Sequence, residues 1–393
     1  MKKKILLMPS PPASGSIGSS VKCLGIAREL SKRDCECAFV MGGTLGAFFR
    51  DKGYRVYDFP VPVTRKTLGP VNNVIEFLEW TGLLDAEFMD MAVEKELEAI
   101  RRFKPDVIFS ETRPSAGISL QAEQIPYAAV VSGPCQPEFA ICAQAQVQSA
   151  IDQIGTIRKK YGLAPIRNPA ELLTAGAKIQ ISPSIPELEP VLAGRKDILY
   201  TGHALDFGYD EAYQEEEALN TWLERQSGRT IIMVYLSVGA IAPSLYHNIL
   251  SDTFLGSQMS VVCCCGNHYQ LKDFRNNPKS NLFFSRYIPL NKLQSKVSFL
   301  LFHGGQDTMM FSLLNQIPSL CFPGRHFERR YNAEQLQKLG ISRRCELFTF
   351  RPSSLKHTIQ QLMETPTEVM EHWSQIVQSY GGLTRCVDAL LEL

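Results

Sequence analysis

The chain has no apolar run long enough to cross a bilayer, no Cys-x-x-Cys pair and almost no net charge. Its 41 Lys and Arg stand against 40 Asp and Glu in 393 residues, a formal charge of +1. That balance excludes a field strong enough to gather nucleic acid, and the one basic cluster, Lys2 to Lys4, is terminal. The apolar run behind it, Ile5 to Met8, stops at Pro9, too short for the core of a secretory signal or a membrane span. A cytoplasmic protein with no stable membrane insertion is expected. Of the 11 cysteines, Cys263, Cys264 and Cys265 are adjacent in an apolar run, where alternate side chains point to opposite faces. Reduced core thiols are the reading. Cys35 and Cys37 lack a second ligand pair of suitable spacing, so no metal site is expected.

What is present is a long α/β pattern. With 45% hydrophobic residues, 393 residues suffice for two domains, each with its own core. In the first half, Ile5 to Met8, Ala38 to Met41, Arg55 to Phe59, Val107 to Ser110, Tyr127 to Val131 and Ile179 to Ser182 read as strands. Helical spacing over Lys22 to Lys32 and Ala92 to Phe103 alternates with them, the rhythm of a parallel sheet. An acidic, polar segment from Leu205 to Gly228, with Glu215 to Glu217 and Trp222, reads as a connection plus a short helix. The alternation then resumes with strands at Thr230 to Leu236, Val261 to Cys265, Asn281 to Phe284, Val297 to Phe302 and Ser319 to Phe322. Domains over 1–205 and 206–373 are expected, with 374–393 a helix packing back on the first. Ligands of such open sheets bind beyond the carboxyl ends of the strands.

Residues 297–340 are the most informative segment. A strand ends in His303-Gly304-Gly305-Gln306-Asp307-Thr308, and Met309 to Asn315 reads as the helix that follows. The glycines allow a sharp turn beneath a bound group. The helix's first turn offers free N–H groups, a partial positive charge and the Thr308 hydroxyl, which together suit a phosphate.

These residues resemble nucleotide-sugar-dependent glycosyltransferases of the GT-B fold, the family of natural-product and UDP-glucuronosyltransferase-like enzymes. The resemblance spans nearly the whole chain. It is carried by Val234 to Gly239, Tyr287-Ile288-Pro289, the His303 segment, Ile317-Pro318, Pro323 and Asn332-Ala333. Weaker matches in the first half are Gly18 to Leu30, Pro105 to Glu111, Ile181 to Pro190 and Tyr200-Thr201-Gly202. It implies two Rossmann-like domains with parallel sheets facing an interdomain cleft, the first for the acceptor and the second for the nucleotide sugar. By it, His303 donates a hydrogen bond to the donor diphosphate, joined by Gly304, Gly305, Thr308, Ser237 and Gly239. Tyr287 stacks on the base and the Ile288 backbone reads its edge. The donor is a co-substrate, no cofactor is implied, and transfer is metal-independent and inverting.

The chain departs from the family in three places. Many relatives carry Glu at the eighth position after the motif His, to grip the ribose; here it is Phe311, which implies another grip or a 2′-deoxynucleotide donor such as a dTDP-sugar. The acidic-plus-Gln pair before Asn-Ala is Glu328-Arg329, where Arg329 suits either a carboxylate-bearing sugar or a solvated face. The usual catalytic His position falls on Ser19, after Gly18, and the position of its orienting Asp on Glu111. Serine is far too weak a base, so either Glu111 takes the proton or the acceptor is already ionised and binds at the Gly15 to Ser20 turn. The apolar, irregular-looking stretch Val61 to Met91, with Phe77, Trp80 and Phe88, is expected to wall a small hydrophobic acceptor. A catalytically silent nucleotide-sugar-binding partner of another transferase and a GT-B sugar-nucleotide epimerase remain as alternatives.

Overall fold

A computed structural model of the chain describes residues 2–11, 18–64, 70–140, 143–206, 216–236, 243–265, 279–285, 288, 290–346 and 351–393. It comprises two compact units, Met1–Asp206 with Tyr380–Leu393, and Phe207–Ser379. Among the described residues no helix is long and apolar enough to cross a membrane.

Unit 1 alternates strands and helices: β1 (Lys4–Met8), α1 (Gly18–Ser31), β2 (Glu36–Val40), α2 (Gly43–Asp51), β3 (Arg55–Tyr57), α3 (Val74–Trp80) and α4 (Ala86–Phe103). There follow β4 (Val107–Ser110), α5 (Ala116–Ala122), β5 (Tyr127–Val130), α6 (Gln144–Lys160), α7 (Glu171–Thr174), β6 (Ile179–Ser182) and β7 (Ile198–Tyr200). The seven strands pair in parallel in the order β3-β2-β1-β4-β5-β6-β7. Helices must cross both faces of such a sheet, which is why Ile5 to Met8 and Val107 to Phe109 are unbroken apolar runs, almost wholly buried. Right-handed crossovers put α1 on one face and α4 and α5 on the other. The direction of travel reverses between β1 and β4, so the carboxyl ends of those strands form a switch point.

One buried cation ties that edge together. The Arg113 guanidinium donates from Nε to the Pro9 carbonyl at 3.1 Å, from Nη2 to that of Val40 at 2.8 Å, and lies 4.0 Å over the Phe59 ring. Glu96 of α4 answers its charge from 3.5 Å, and its carboxylate also accepts from the hydroxyls of Ser115 and Ser119, each at 2.6 Å. The exits of β1, β2 and β4 are thereby held to one side chain.

Unit 2 contains α8 (Glu216–Arg225), β8 (Thr230–Tyr235), α9 (Pro243–Phe254), β9 (Met259–Cys264), β10 (Leu282–Ser285), α10 (Leu290–Leu293), β11 (Phe299–Phe302) and α11 (Gln306–Leu314). It continues with β12 (Ser319–Cys321), α12 (Phe327–Lys338), β13 (Ser342–Arg344), α13 (Pro352–Met363) and α14 (Thr367–Ser379). Its six parallel strands run β10-β9-β8-β11-β12-β13, so the switch point lies between β8 and β11. Cys263, Cys264 and Cys265 are buried in and just after β9, and burial pushes the Cys264 thiol up to about 12. After Ser379 the chain re-enters unit 1, where α15 (Gly382–Glu392) packs on α1. The Gly382 amide donates to the Thr201 carbonyl at 2.8 Å.

Several expectations need correction. β7 and β13 were not anticipated: both are three-residue edge strands, and Ser342-Arg343-Arg344 has no apolar run to betray it. The stretch Val61 to Met91 is regular in part: α3 and the start of α4 lie within it, capped by Asn73 and Asp85 accepting from the Glu76 and Phe88 amides. Helix α11 begins at Gln306, three residues before the predicted start, because Gly305 already serves as its N-cap.

Replacing Glu96 by Ala strands a buried guanidinium. Such a loss costs about 3–5 kcal/mol. Urea unfolding of the variant should show a drop of that order, and an unchanged midpoint would remove Arg113 and Glu96 from the account of this edge.

Candidate functional site

In unit 2, β11 delivers His303 to the switch point, and the turn behind it is held open by glycine. Gly304 has φ +86°, and a Cβ there would lie 2.7 Å from the Arg329 carbonyl oxygen and 3.0 Å from Cys321 Sγ. A Cβ on Gly305 would meet His303 Nε2 at 2.7 Å. From α12, Asn332 Nδ2 donates to the Gly304 carbonyl at 2.8 Å, giving the Asn-Ala motif a scaffolding role: it fixes the turn. Thr308 is buried in the first turn of α11, where the backbone N–H groups lack helical partners.

The electrostatics differ from those the resemblance implies. His303 Nδ1 lies 3.1 Å from the Tyr235 carbonyl, which can only accept, so Nδ1 carries the hydrogen. Burial, then the Arg329 charge, pushes this imidazole down to about 3, and the same causes bring His326 to about 3. The neutral ring therefore presents a lone pair, not an N–H, at Nε2. Donating to a phosphate from that atom requires a second proton. Arg329, itself pushed down by burial and supported by Glu328, acts electrostatically on His303, Tyr235, Cys321 and His326. It is a half-buried cation beside the cradle. Asp307 went unremarked in the sequence. It puts a carboxylate in the first turn of α11, where it stabilises the helix by about 0.3–1 kcal/mol and competes with any anion there.

Of the other residues expected to hold the donor, Ser237, Gly239 and Tyr287 lie outside the described residues. Ile288 is 2% exposed, and its backbone amide meets the Cys264 thiol. Glu328 is half-buried at the start of α12. Phe311 is fully buried in α11, where its ring belongs to the core.

In unit 1, Gly18 opens α1 and Ser19 is half-buried, its Oγ accepting from the Ser10 amide at 2.7 Å. That bond ties the end of the β1 turn to the helix. Glu111 follows β4, 7% exposed, and accepts through Oε1 from Lys22 Nζ at 2.7 Å; Lys22 is 5% exposed. Among the described residues, Glu111 Oε2 is buried and has no hydrogen-bond partner. Thr112, next along, has φ +48°, an uncommon conformation for a β-branched residue and a mark of strain. Lys22 was missed because a lysine in a helix reads as a solvated residue. Its signal, a cation one turn after the helix start, has meaning only beside Glu111. Among the acceptor candidates, Phe77 and Trp80 are half-buried with rings 6.2 Å apart. Phe88 is core: it packs edge-on against Phe59 at 6.0 Å and is 7% exposed, which withdraws it from an acceptor wall.

No family model matches the chain. It is 26% identical to an uncharacterized UDP-glucosyltransferase, YojK of Bacillus subtilis, over 34% of this chain and 33% of that protein. The chain thus spans about a third of that relative. An uncharacterized glycosyltransferase of Methanosarcina mazei is 20% identical over 88% of this chain and 87% of its own length. Among solved structures, the glycotransferase of kitacinnamycin superposes with a TM-score of 0.78 at 16% identity, covering 100% of this chain and 98% of that one. The fold is therefore GT-B, as the resemblance implied, and the structures it matches are glycosyltransferases.

The two neutral histidines carry a pH consequence. Their values in the fold lie below the ordinary 6.5, so the unfolded chain binds more protons as acidity rises. Stability from these rings is complete above pH 6.5 and is lost progressively as pH falls toward about 3. The thermal midpoint should drop over that window, less steeply in His326→Gln. Parallel profiles for the two proteins would refute the assignment.

Proposed function

We propose that the chain is a glycosyltransferase: unit 2 holds a nucleoside diphosphate sugar and unit 1 a small hydroxyl-bearing acceptor. The observation that carries this reading is the complementary chemistry at the two switch points. One has a half-buried cation beside a helix N-terminus, and the other a buried carboxylate with one oxygen lacking a partner among the described residues.

In this reading the diphosphate lies over Gly304 and Gly305. It takes hydrogen bonds from the first N–H groups of α11, the Thr308 hydroxyl and the Arg329 guanidinium. As the bond from the anomeric carbon to the diphosphate oxygen breaks, charge grows where these donors already stand. A charge-assisted hydrogen bond contributes about 1.5–3 kcal/mol, so Arg329 outweighs the opposition of Asp307. His303 joins as a donor only by taking up a proton, which the incoming negative charge favours. The acceptor oxygen attacks the anomeric carbon while its proton passes to Glu111 Oε2, a single displacement that inverts the centre. Ser19 and Gly18 shape the turn at the acceptor, Phe77 and Trp80 offer it apolar surface, and Tyr287 with Ile288 takes the base. The alternative of a silent binding partner is disfavoured by Glu111, since a pure scaffold gains nothing from a buried carboxylate oxygen with no donor.

Calorimetry with UDP and dTDP tests the donor half. Arg329→Gln should weaken binding about tenfold or more, the equivalent of about 1.4 kcal/mol, and Asp307→Asn should tighten it. Equal affinity of Arg329→Gln and wild type for both nucleotides would sink the reading.

A further inference from the structure

We infer that Lys22 is a positioning residue for the acceptor: its ammonium holds Glu111 by Oε1 and so leaves Oε2 turned to the incoming hydroxyl. This rests on the reading of Glu111 as the acceptor's base.

The inference comes from comparing two buried carboxylate–cation pairs that flank one residue. Glu96 with Arg113 is complete: both carboxylate oxygens accept, from Ser115 and Arg113 on one side and Ser119 on the other. Nothing remains for a ligand, and the pair lies on the α4 and α5 face. Glu111 with Lys22 lies toward α1 and is incomplete. Oε1 takes the ammonium at 2.7 Å, while Oε2 is buried without a donor among the described residues. The carboxylate paired with Arg113, two residues after Glu111, is satisfied entirely, while that of Glu111 is left open. An open buried acceptor is costly unless a bound group fills it.

Location agrees with this contrast. Glu111 and the first turns of α1 occupy the switch point of the unit 1 sheet, where ligands of open α/β sheets bind. Thr112, at φ +48°, is held between side chains anchored in opposite directions, so the strain falls beside the open oxygen. The other ionisable groups facing Glu111 are Cys23 of α1 and Cys386 of α15. Burial pushes both thiols up, Cys386 to about 12, so they stay neutral. Arg113 spends its hydrogen bonds on Pro9, Val40 and Glu96. The ammonium of Lys22 is the charge at hydrogen-bond distance, and it fixes the carboxylate through Oε1. Ionised, Glu111 accepts a proton from a hydroxyl; protonated, it cannot. Lys22 touches no reacting atom in this scheme and acts through Glu111.

The experiment compares wild type, Lys22→Met, Lys22→Arg and Glu111→Gln. Calorimetric binding of UDP and dTDP is measured first, because that site lies in unit 2; if neither nucleotide binds wild type, the glycosyltransferase reading itself fails. Sugar transfer from UDP-glucose and dTDP-glucose is then followed with para-nitrobenzyl alcohol, which needs a base, and para-nitrophenol, whose hydroxyl is already acidic. General-base assistance is worth about 100-fold or more. Lys22→Met and Glu111→Gln should lose a factor of that order in kcat with the alcohol, lose far less with the phenol, and bind nucleotide as wild type does. Lys22→Arg, which keeps the charge, should recover most of the rate, and it carries the test if Lys22→Met fails to fold. The inference is overturned by equal losses on both acceptors, by a Lys22→Arg as slow as Lys22→Met, by a Lys22→Met as fast as wild type, or by nucleotide binding without transfer to either acceptor.

Discussion

Parallel strands cannot be joined by tight turns, and most of what this chain can do follows from that constraint. Every connection must run back along the sheet, mostly as a helix, so the chain leaves all the strands at the same edge. Where the strand order reverses, two neighbouring connections diverge and leave room. Unit 1 reverses between β1 and β4, unit 2 between β8 and β11, and the chemically distinctive side chains of each unit sit at those reversals. Lys22 and Glu111 are there in one, His303 and Arg329 in the other. The apolar strands supply the rigidity: a run such as Phe299 to Phe302, fully buried, cannot shift by a residue without exposing its core face.

Charge at the two reversals is managed in opposite ways. Unit 2 keeps its histidines neutral by burying them near a guanidinium, so a fixed cation meets whatever anion arrives and the imidazoles remain in reserve. Unit 1 buries opposite charges in pairs, one closed and one left open. Burial without a partner is expensive in either case, and proteins keep such arrangements chiefly where chemistry needs them.

The fold was largely legible in the sequence. Strands buried on both faces announce themselves as apolar runs, and His303-Gly304-Gly305 marked a turn whose glycines are sterically required. What escaped were features with no local signature. β13 is Ser-Arg-Arg, defined only by its pairing with β12. Lys22 reads as surface until the tertiary fold sets it 2.7 Å from Glu111. The donor role implied for His303 depended on a tautomer, and the tautomer depends on the Tyr235 carbonyl, 68 residues away in the chain. The apolar content of Val61 to Met91 suggested a loose wall, whereas helical spacing there, with Asn73 and Asp85 as caps, makes part of it core.

The return of the chain to unit 1 bears on biosynthesis. Lys3 Nζ donates to the Leu391 carbonyl at 2.6 Å, and α15 buries Cys386, Val387 and Leu390 in a unit whose first strand begins at Lys4. On the ribosome, unit 2 has all its residues before unit 1 does. Unit 1 must wait, with the α1 surface meant for α15 uncovered, until residues 380–393 emerge. The usual order, in which the N-terminal domain matures first, is reversed. Unit 2 is in effect an insertion within unit 1, and a segment synthesised after unit 2 closes a unit begun before it.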